Sequence, residues 1–265
     1  MPRQVTAFSN ATVKRLRSLR DKKGRRAEGL FLAEGLRILT EARDSGRLPE
    51  LVAFSPEGAK HPLAAEIIAA TEAAGGEAIE TTPDILTKMS GKDNPQMLLG
   101  AYKVPDARLE RLDRSAAPLW IVAQALRDPG NIGTILRTGD AVGAGGLILV
   151  DDSADPFSVE AVRASMGAIF TQQVAQARWL EFLSWLRSGD GQLVGTSLKA
   201  TDDYLEARYE RPCFLLIGNE QQGLPADYEA ECDLLVKIPM AGRADSLNAA
   251  MAAAVMAFAV KASWR

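Results

Sequence analysis

The chain has 265 residues, of which 47% are hydrophobic and 25% are charged, and its formal net charge is -3. This length predicts two domains, and the apolar content is sufficient for a sizeable core. No apolar run has the length of a membrane span and the N-terminus lacks a signal-peptide core, so we expect a cytoplasmic protein with no membrane association.

The few cysteine and histidine residues restrict the possible chemistry. Cys213 and Cys232 lack a metal-type partner at short spacing, and we expect both to be reduced and buried. His61 precedes Pro62 at a predicted helix start and is expected at the surface. We therefore expect no histidine-dependent triad and no metal site.

Positive charge is concentrated at the N-terminus. Residues 1–26 carry nine Lys or Arg against Asp21 alone, whereas the other 239 residues have a net charge of -11. A helix over 13–20 would bury Val13, Leu16 and Leu19 and turn its basic side chains outward, where they could bind RNA phosphates. The alternative is a solvated helix or a disordered tail. The candidate RNA-binding residues are Lys14, Arg15, Arg17, Arg20, Lys22, Lys23, Arg25 and Arg26.

Strands and helices then alternate as far as residue 104. The predicted strands are 30–33, 51–54, 78–79 and 96–104, and the predicted helices are 34–43, 62–74 and 83–89. This order predicts a small α/β domain over 1–104. Residues 105–118, which are charged and have a proline at each end, are predicted to be a linker.

The remaining residues, 119–265, have the pattern of a mostly parallel α/β sheet. The predicted strands are 119–123, 146–151, 170–175, 192–196, 213–217 and 234–238. A final helix over 246–261 is rich in Ala and Met, and its small side chains favour close packing within the core or against a second subunit.

Three of these strands end in polar or glycine-rich segments, at the edge where open α/β sheets bind ligands. The first segment, 128–138, has turn residues followed by Asn131 as a predicted helix N-cap, and its helix places Thr134, Arg137 and Thr138 on a polar side. The second segment is 218–224, and the third, 238–248, leads into the final helix.

The three segments resemble the motifs of the SpoU (TrmH-type) family of SPOUT RNA 2'-O-ribose methyltransferases. The resemblance covers about 118–265, and 28–35 with the following elements is similar to the substrate-binding domain that precedes many such enzymes. It implies a sheet with a deep trefoil knot, a smaller N-terminal RNA-binding domain, and a homodimer. The matching residues are Asn131, Gly133, Arg137 and Thr138; Gly218, Asn219, Glu220 and Gly223; and Pro239, Met240, Ser246, Leu247 and Asn248.

The resemblance also implies S-adenosyl-L-methionine as the cofactor, bound between the second and third motifs. Methyl transfer from a sulfonium depends mainly on positioning and electrostatics and requires no metal. Carried over by position, the cofactor-binding residues are Gly218, Ile238 and Leu247, with Thr196, Leu216, Ile217, Met240 and Ser246 as neighbours.

The catalytic residues that the resemblance implies are Arg137, Asn131, Glu220, Ser246 and Asn248. In this family Arg137 would lie near the ribose and has been favoured as a base. An arginine pKa above ~12 makes it a poor base at neutral pH, and a role in holding phosphate and stabilising an alkoxide is the physical alternative. Glu220 is expected either to orient Arg137 or to form a simple ion pair with it.

The additional N-terminal domain favours large-subunit ribosomal RNA as the substrate over tRNA, since simple tRNA methylases of this branch tend to lack it. A nicotinamide-dependent enzyme is disfavoured because the glycine run 143–146 precedes a strand. The remaining alternative is a non-catalytic RNA-binding or ribosome-assembly factor of the same fold.

Overall fold

The computed structural model describes residues 2–91 and 96–265. Its strands are β1 (Arg3–Val5), β2 (Leu30–Glu34), β3 (Leu51–Phe54), β4 (Glu77–Thr81), β5 (Leu98–Lys103), β6 (Leu119–Gln124), β7 (Gly146–Val150), β8 (Gln173–Ala177), β9 (Gln192–Thr196), β10 (Asp202–Asp203), β11 (Cys213–Ile217) and β12 (Leu234–Lys237). Its helices are α1 (Ala11–Ser18), α2 (Lys22–Glu28), α3 (Leu36–Asp44), α4 (Pro56–Ala59), α5 (Pro62–Ala73), α6 (Pro83–Ser90), α7 (Pro129–Val142), α8 (Val159–Ala164), α9 (Trp179–Arg187), α10 (Ala226–Ala230) and α11 (Ala249–Ala262).

The chain forms two compact units. The first unit consists of Met1–Pro105 with Phe157–Thr171, and the second consists of Asp106–Pro156 with Gln172–Arg265. The predicted domains divide the chain into continuous ranges, whereas the first unit also includes Phe157–Thr171 from the C-terminal part of the chain. The predicted boundaries of the two functional domains stay a prediction. Within the described residues, no helix is long and apolar enough to cross a bilayer.

The first unit is built on a mixed sheet with the order β1-β4-β3-β5-β2. Strands β1, β3 and β4 are parallel, and β5 runs antiparallel to β2 and β3. Helix α1 packs on α6, and Val13, Leu16 and Leu19 are buried, as the spacing predicts. The segment Phe157–Thr171 also belongs to the first unit. Its Phe157 and Phe170 pack with Phe31 and Tyr102 in an aromatic cluster.

Most, but not all, of the predicted RNA-binding side chains lie on the surface of the first unit. Arg25 is buried, and its Nη1 donates to the carbonyl oxygens of Leu19 at 2.9 Å and Arg20 at 2.8 Å, which fixes the turn between α1 and α2. Arg15 is exposed but bonds to Glu28 at 2.6 Å. The remaining basic residues of the set are exposed: Lys14, Arg17, Arg20, Lys22, Lys23 and Arg26.

The second unit is built on a seven-stranded sheet with the order β10-β12-β9-β11-β6-β7-β8, in which every pairing is parallel. This confirms the predicted α/β class. Parallel sheets are covered on both faces, and here α7 and α11 pack against the central strands β6 and β11 or their neighbours. A separate core on the sheet includes Trp120, Phe182 and Phe214.

Several predicted details are wrong for identifiable reasons. The strand predicted at 170–175 begins later, at Gln173, because the 3-10 turn Ala168–Phe170 follows Gly167 with a φ of 105°. The short elements β1, β10 and α2 were not predicted. Helix α2 was not predicted because its sequence, KKGRRAE, lacks an apolar stripe and contains a glycine.

Both cysteines are free, in agreement with the prediction of reduced thiols. Cys213 is buried and Cys232 is partly buried. Burial raises the pKa of each thiol to about 12, so both stay protonated at neutral pH.

The segment predicted as a linker packs closely on the second unit. The Arg114 guanidinium donates to the carbonyl oxygen of Leu186 at 2.8 Å, to that of Trp185, and to Ser188 Oγ at 3.1 Å. It also lies 4.3 Å from the centre of the Trp185 ring. Arg114 therefore closes the C-terminal end of α9, where helix carbonyls lack intrahelical donors.

We predict that Arg114→Ala lowers the free energy of unfolding by about 1 to 3 kcal/mol, because several carbonyl groups lose a charged donor. Urea denaturation followed by tryptophan fluorescence measures this change. Arg111→Ala is the matched control, since Arg111 lies in the same segment with a side chain 67% exposed. Equal midpoints for the two variants would contradict a stabilising role for Arg114.

Candidate functional site

Three loops of the second unit meet at the carboxyl edge of its parallel sheet. The first follows β6 and leads into α7, the second follows β11, and the third connects β12 to α11. These are the three segments that the sequence singled out. Strands β6 and β11 are adjacent in the sheet, and β9 lies between β11 and β12.

A chain of side-chain hydrogen bonds connects the three loops. Asn131 Nδ2 donates to Glu220 Oε1 at 2.8 Å, and Asn248 Nδ2 donates to Asn131 Oδ1 at 3.1 Å. Asn131 is only 7% exposed, so both ends of its carboxamide are satisfied in a water-poor environment. Asn248 Oδ1 in turn accepts from the amides of Ala250 and Met251 and caps α11.

The prediction that Asn131 is the N-cap of α7 is wrong. Asp128 is the N-cap and accepts from the amide of Gly130, because the helix starts at Pro129, three residues earlier than predicted. Asn131 lies inside the first turn, and its side chain bonds to the other two loops instead. Thr134 and Arg137 are exposed, as expected for the polar side of α7.

The second loop is held tightly against the first. Asn219 Nδ2 donates to the carbonyl oxygen of Ala125 at 2.7 Å, while its Oδ1 accepts from the amide of Gln221 at 2.9 Å. A β-carbon at Gly218 would lie 2.4 Å from the carbonyl carbon of Gly223, so only glycine allows this return of the chain.

The second and third loops, together with the loop after β9, line an open cavity of about 300 Å³. This volume is at the lower end of the usual range for small-molecule sites. Its walls combine apolar groups, such as Ile238 and Leu247, with the carboxylates of Glu220 and Glu229 and the ammonium of Lys199. Such a lining can contact both apolar and polar or charged groups of one ligand.

The structure brings nearly all of the predicted cofactor-binding residues to this cavity. Those in its lining are Thr196, Ile217, Gly218, Ile238, Met240, Ser246 and Leu247. Leu216 is not in the lining; it is fully buried, and its carbonyl oxygen accepts from Thr196 Oγ1 at 3.4 Å.

Four of the five predicted catalytic residues lie in or beside the cavity, and Arg137 does not. Glu220 and Ser246 line the cavity, and Asn131 and Asn248 contact Glu220 directly or in series. Arg137 is exposed on α7, outside the cavity lining, and its side chain has no hydrogen bond or ion pair with another described residue. The expected pairing with Glu220 is therefore not formed in the part of the chain that the structure describes; Asn131 bonds to Glu220 instead.

Sequence reasoning missed one part of the cavity wall. Ser197, Lys199 and Glu229 line the side formed by the loop after β9 and by α10. Nothing in the sequence around Glu229 distinguishes it from the acidic residues beside it, Asp227 and Glu231, because only the folded chain brings α10 to the cavity.

Two models of known protein families match separate parts of the chain. The model of the SpoU rRNA Methylase family matches residues 118–258, and that of the MRM3-like substrate binding domain matches residues 10–100. The crystal structure of an AdoMet-bound rRNA methyltransferase from Sinorhizobium meliloti superposes with a TM-score of 0.91 and 38% sequence identity, covering 98% of this chain and 97% of that one.

Two relatives that are named as 23S rRNA methyltransferases align along nearly their whole length. The 23S rRNA (uridine(2479)-2'-O)-methyltransferase of Streptomyces viridochromogenes is 31% identical over 264 residues, which cover 97% of this chain and 91% of that protein. The 23S rRNA (guanosine(2553)-2'-O)-methyltransferase of Bacillus subtilis is 27% identical over 256 residues, covering 97% and 98%. With its family model matched over more than half of its length, this chain belongs to the SpoU rRNA methylase family.

Proposed function

We propose that the protein transfers a methyl group from S-adenosyl-L-methionine to a ribose 2'-hydroxyl of 23S ribosomal RNA. The observation that carries the proposal is the cavity beside the Asn131, Glu220 and Asn248 network, at the edge of the sheet where the three family segments meet. Relatives named as 23S rRNA 2'-O-methyltransferases, which align along nearly the whole chain, favour this substrate over tRNA.

The cofactor would be held in the cavity. Gly218, Ile238 and Leu247 are its proposed main contacts, with the other lining residues as neighbours. Ile238 and Leu247 supply apolar surface for the adenine ring. When bound, the cofactor supplies an electrophilic methyl group on a positively charged sulfur.

Arg137 would act on the RNA side of the reaction. Because its guanidinium is exposed and forms no bond with another described residue, it is available to hold a phosphate next to the target ribose. There it would also stabilise negative charge developing on the 2'-oxygen. In such a transfer the oxygen would form a bond to the methyl carbon, the pair of the broken carbon–sulfur bond would stay on sulfur, and the hydroxyl proton would pass to a base or to water.

The polar network would position these groups. Asn131 directs one oxygen of Glu220, and Asn248 directs the carboxamide of Asn131, so a change in any one of the three loops reaches the other two. Ser246 lies two residues before Asn248, the N-cap of α11, and lines the cavity. We assign Glu220, Ser246 and Asn248 to this positioning of cofactor and ribose.

The first unit would bind the RNA. We propose 1–104 as the substrate-binding domain, 105–118 as its connection and 119–265 as the methyltransferase domain. The exposed basic side chains of α1, α2 and their junction form a surface suited to phosphates; they are Lys14, Arg17, Arg20, Lys22, Lys23 and Arg26. A ribosomal substrate implies that the protein works in the cytoplasm.

Two further properties are proposed from family membership. The chain leaves β12 through 238–248 and packs α11 onto α7 and the central strands, a path compatible with the trefoil knot of this fold. Helix α11 also leaves an apolar stripe unpaired, with Met251 62% exposed and Phe258 53% exposed. Val255 lies between them at helical spacing, and we propose that a second copy of the chain covers this stripe.

We predict that the protein sediments as a dimer at micromolar concentration and that the double variant Met251→Asp, Phe258→Asp sediments near the monomer mass of 28.5 kDa. Burying two carboxylates in an apolar interface carries a large desolvation penalty. Leu180→Asp is the control, since Leu180 is 75% exposed on α9 and outside the stripe. An intact protein that sediments as a monomer would refute the dimer.

We predict that Arg137→Ala lowers methyl transfer to 23S rRNA by at least about 100-fold, the scale of losing one charged group that stabilises a transition state. Labelled methyl transfer to transcripts of 23S rRNA, 16S rRNA and tRNA, followed by nucleoside analysis, measures rate, substrate and position. RNA binding by the variant, measured separately, should remain within about threefold because the basic surface is intact.

Arg108→Ala is the matched control, since Arg108 is a surface arginine of the second unit, 72% exposed and outside the cavity lining. A methylated base instead of a ribose would contradict the proposed reaction. Preferential methylation of tRNA would contradict the proposed substrate, and RNA binding without any transfer would indicate a non-catalytic factor.

A further inference from the structure

Glu229 places a carboxylate in the wall of the cavity where little water reaches it. Its side chain is 14% exposed. One oxygen, Oε1, accepts from the hydroxyl of Ser197 at 2.6 Å, and the other, Oε2, lies 3.7 Å from the ammonium of Lys199. All three residues line the cavity.

The carboxylate is held in a fixed position by elements on both sides. On α10, the neighbouring Tyr228 donates its hydroxyl to Asp151 Oδ2 at 2.8 Å and stacks on Trp179 with ring centres 3.9 Å apart. On the opposite side, the amide of Ser197 donates to the carbonyl oxygen of Val236 at 3.0 Å. Glu229 is therefore preorganised, which reduces the entropy lost when a ligand bonds to it.

Glu229 retains the capacity to accept from a ligand. An ionised carboxylate has about four lone-pair positions, and the bonds described above occupy only some of them. Lys199 contributes weakly, because its own side chain is 78% exposed and an exposed ion pair is worth little. A donor that enters the cavity can therefore form a charge-assisted hydrogen bond with Glu229.

A neutral donor fits beside Lys199 better than a second ammonium group does. An ammonium group approaching Glu229 would also approach Lys199 and be repelled by it, whereas a neutral hydroxyl would not. Acidic side chains in nucleotide sites commonly bind ribose hydroxyls. We infer that Glu229 accepts a hydrogen bond from a ribose hydroxyl of the bound S-adenosylmethionine and selects for an intact ribose. This inference rests on the proposed function.

Calorimetry with S-adenosylhomocysteine and its 2'-deoxy and 3'-deoxy analogues tests the inference. We expect the intact protein to bind at least one deoxy analogue about tenfold more weakly than the parent, the cost of losing one hydrogen bond to a charged group. Glu229→Gln should bind the parent about tenfold more weakly and should no longer distinguish it from that analogue. Glutamine preserves the volume and can still accept from Ser197.

Asp227→Asn is the matched control: it makes the same change of charge on the same helix at an exposed position outside the cavity lining, and it should bind like the intact protein. Unchanged affinity of Glu229→Gln, or an equal loss for all three ligands, would overturn the inference, since a purely structural role or a contact with the amino group predicts the latter. Failure of the intact protein to bind S-adenosylhomocysteine would instead contradict the proposed function.

Discussion

The hydrogen bonds from Asn248 to Asn131 and from Asn131 to Glu220 are the constraint on which the site depends. They join residues 117 and 89 positions apart in the chain. Because Asn131 is nearly buried, loss of either partner would leave a carboxamide group without a bond and cost about 1 to 3 kcal/mol. The three loops therefore favour one mutual arrangement, and the cavity between the second and third loops depends on it.

The parallel sheet explains why these loops meet. Every pairing from β10 to β8 is parallel, so all strands end at the same edge and their following loops emerge together. Helix α11, capped by Asn248, packs a buried side made mostly of alanine on α7 and the central strands, and leaves Met251 and Phe258 exposed on its other side. The same helix thus connects the network to the surface proposed for a second copy.

Much of this arrangement was predictable because its determinants are local. The apolar run at 213–217 and the three polar segments that follow strands indicated the sheet and its functional edge. The prediction failed where tertiary contacts decide. Arg25 resembles its basic neighbours in sequence but is buried, and Asn131 has the chemistry of an N-cap but bonds across loops. Glu229 carried no local signal, since only the packing of α10 brings it to the cavity.

Calorimetric binding of S-adenosylmethionine to the intact protein and to Leu247→Arg tests the central claim most directly. Leu247 lines the cavity, so a long charged side chain there should fill the space and abolish binding, while Leu180→Arg on the exposed side of α9 should leave it unchanged. Binding by the intact protein that only Leu247→Arg removes is the predicted result. Absence of binding by the intact protein, or undiminished binding by Leu247→Arg, would contradict the assignment of this cavity to the cofactor.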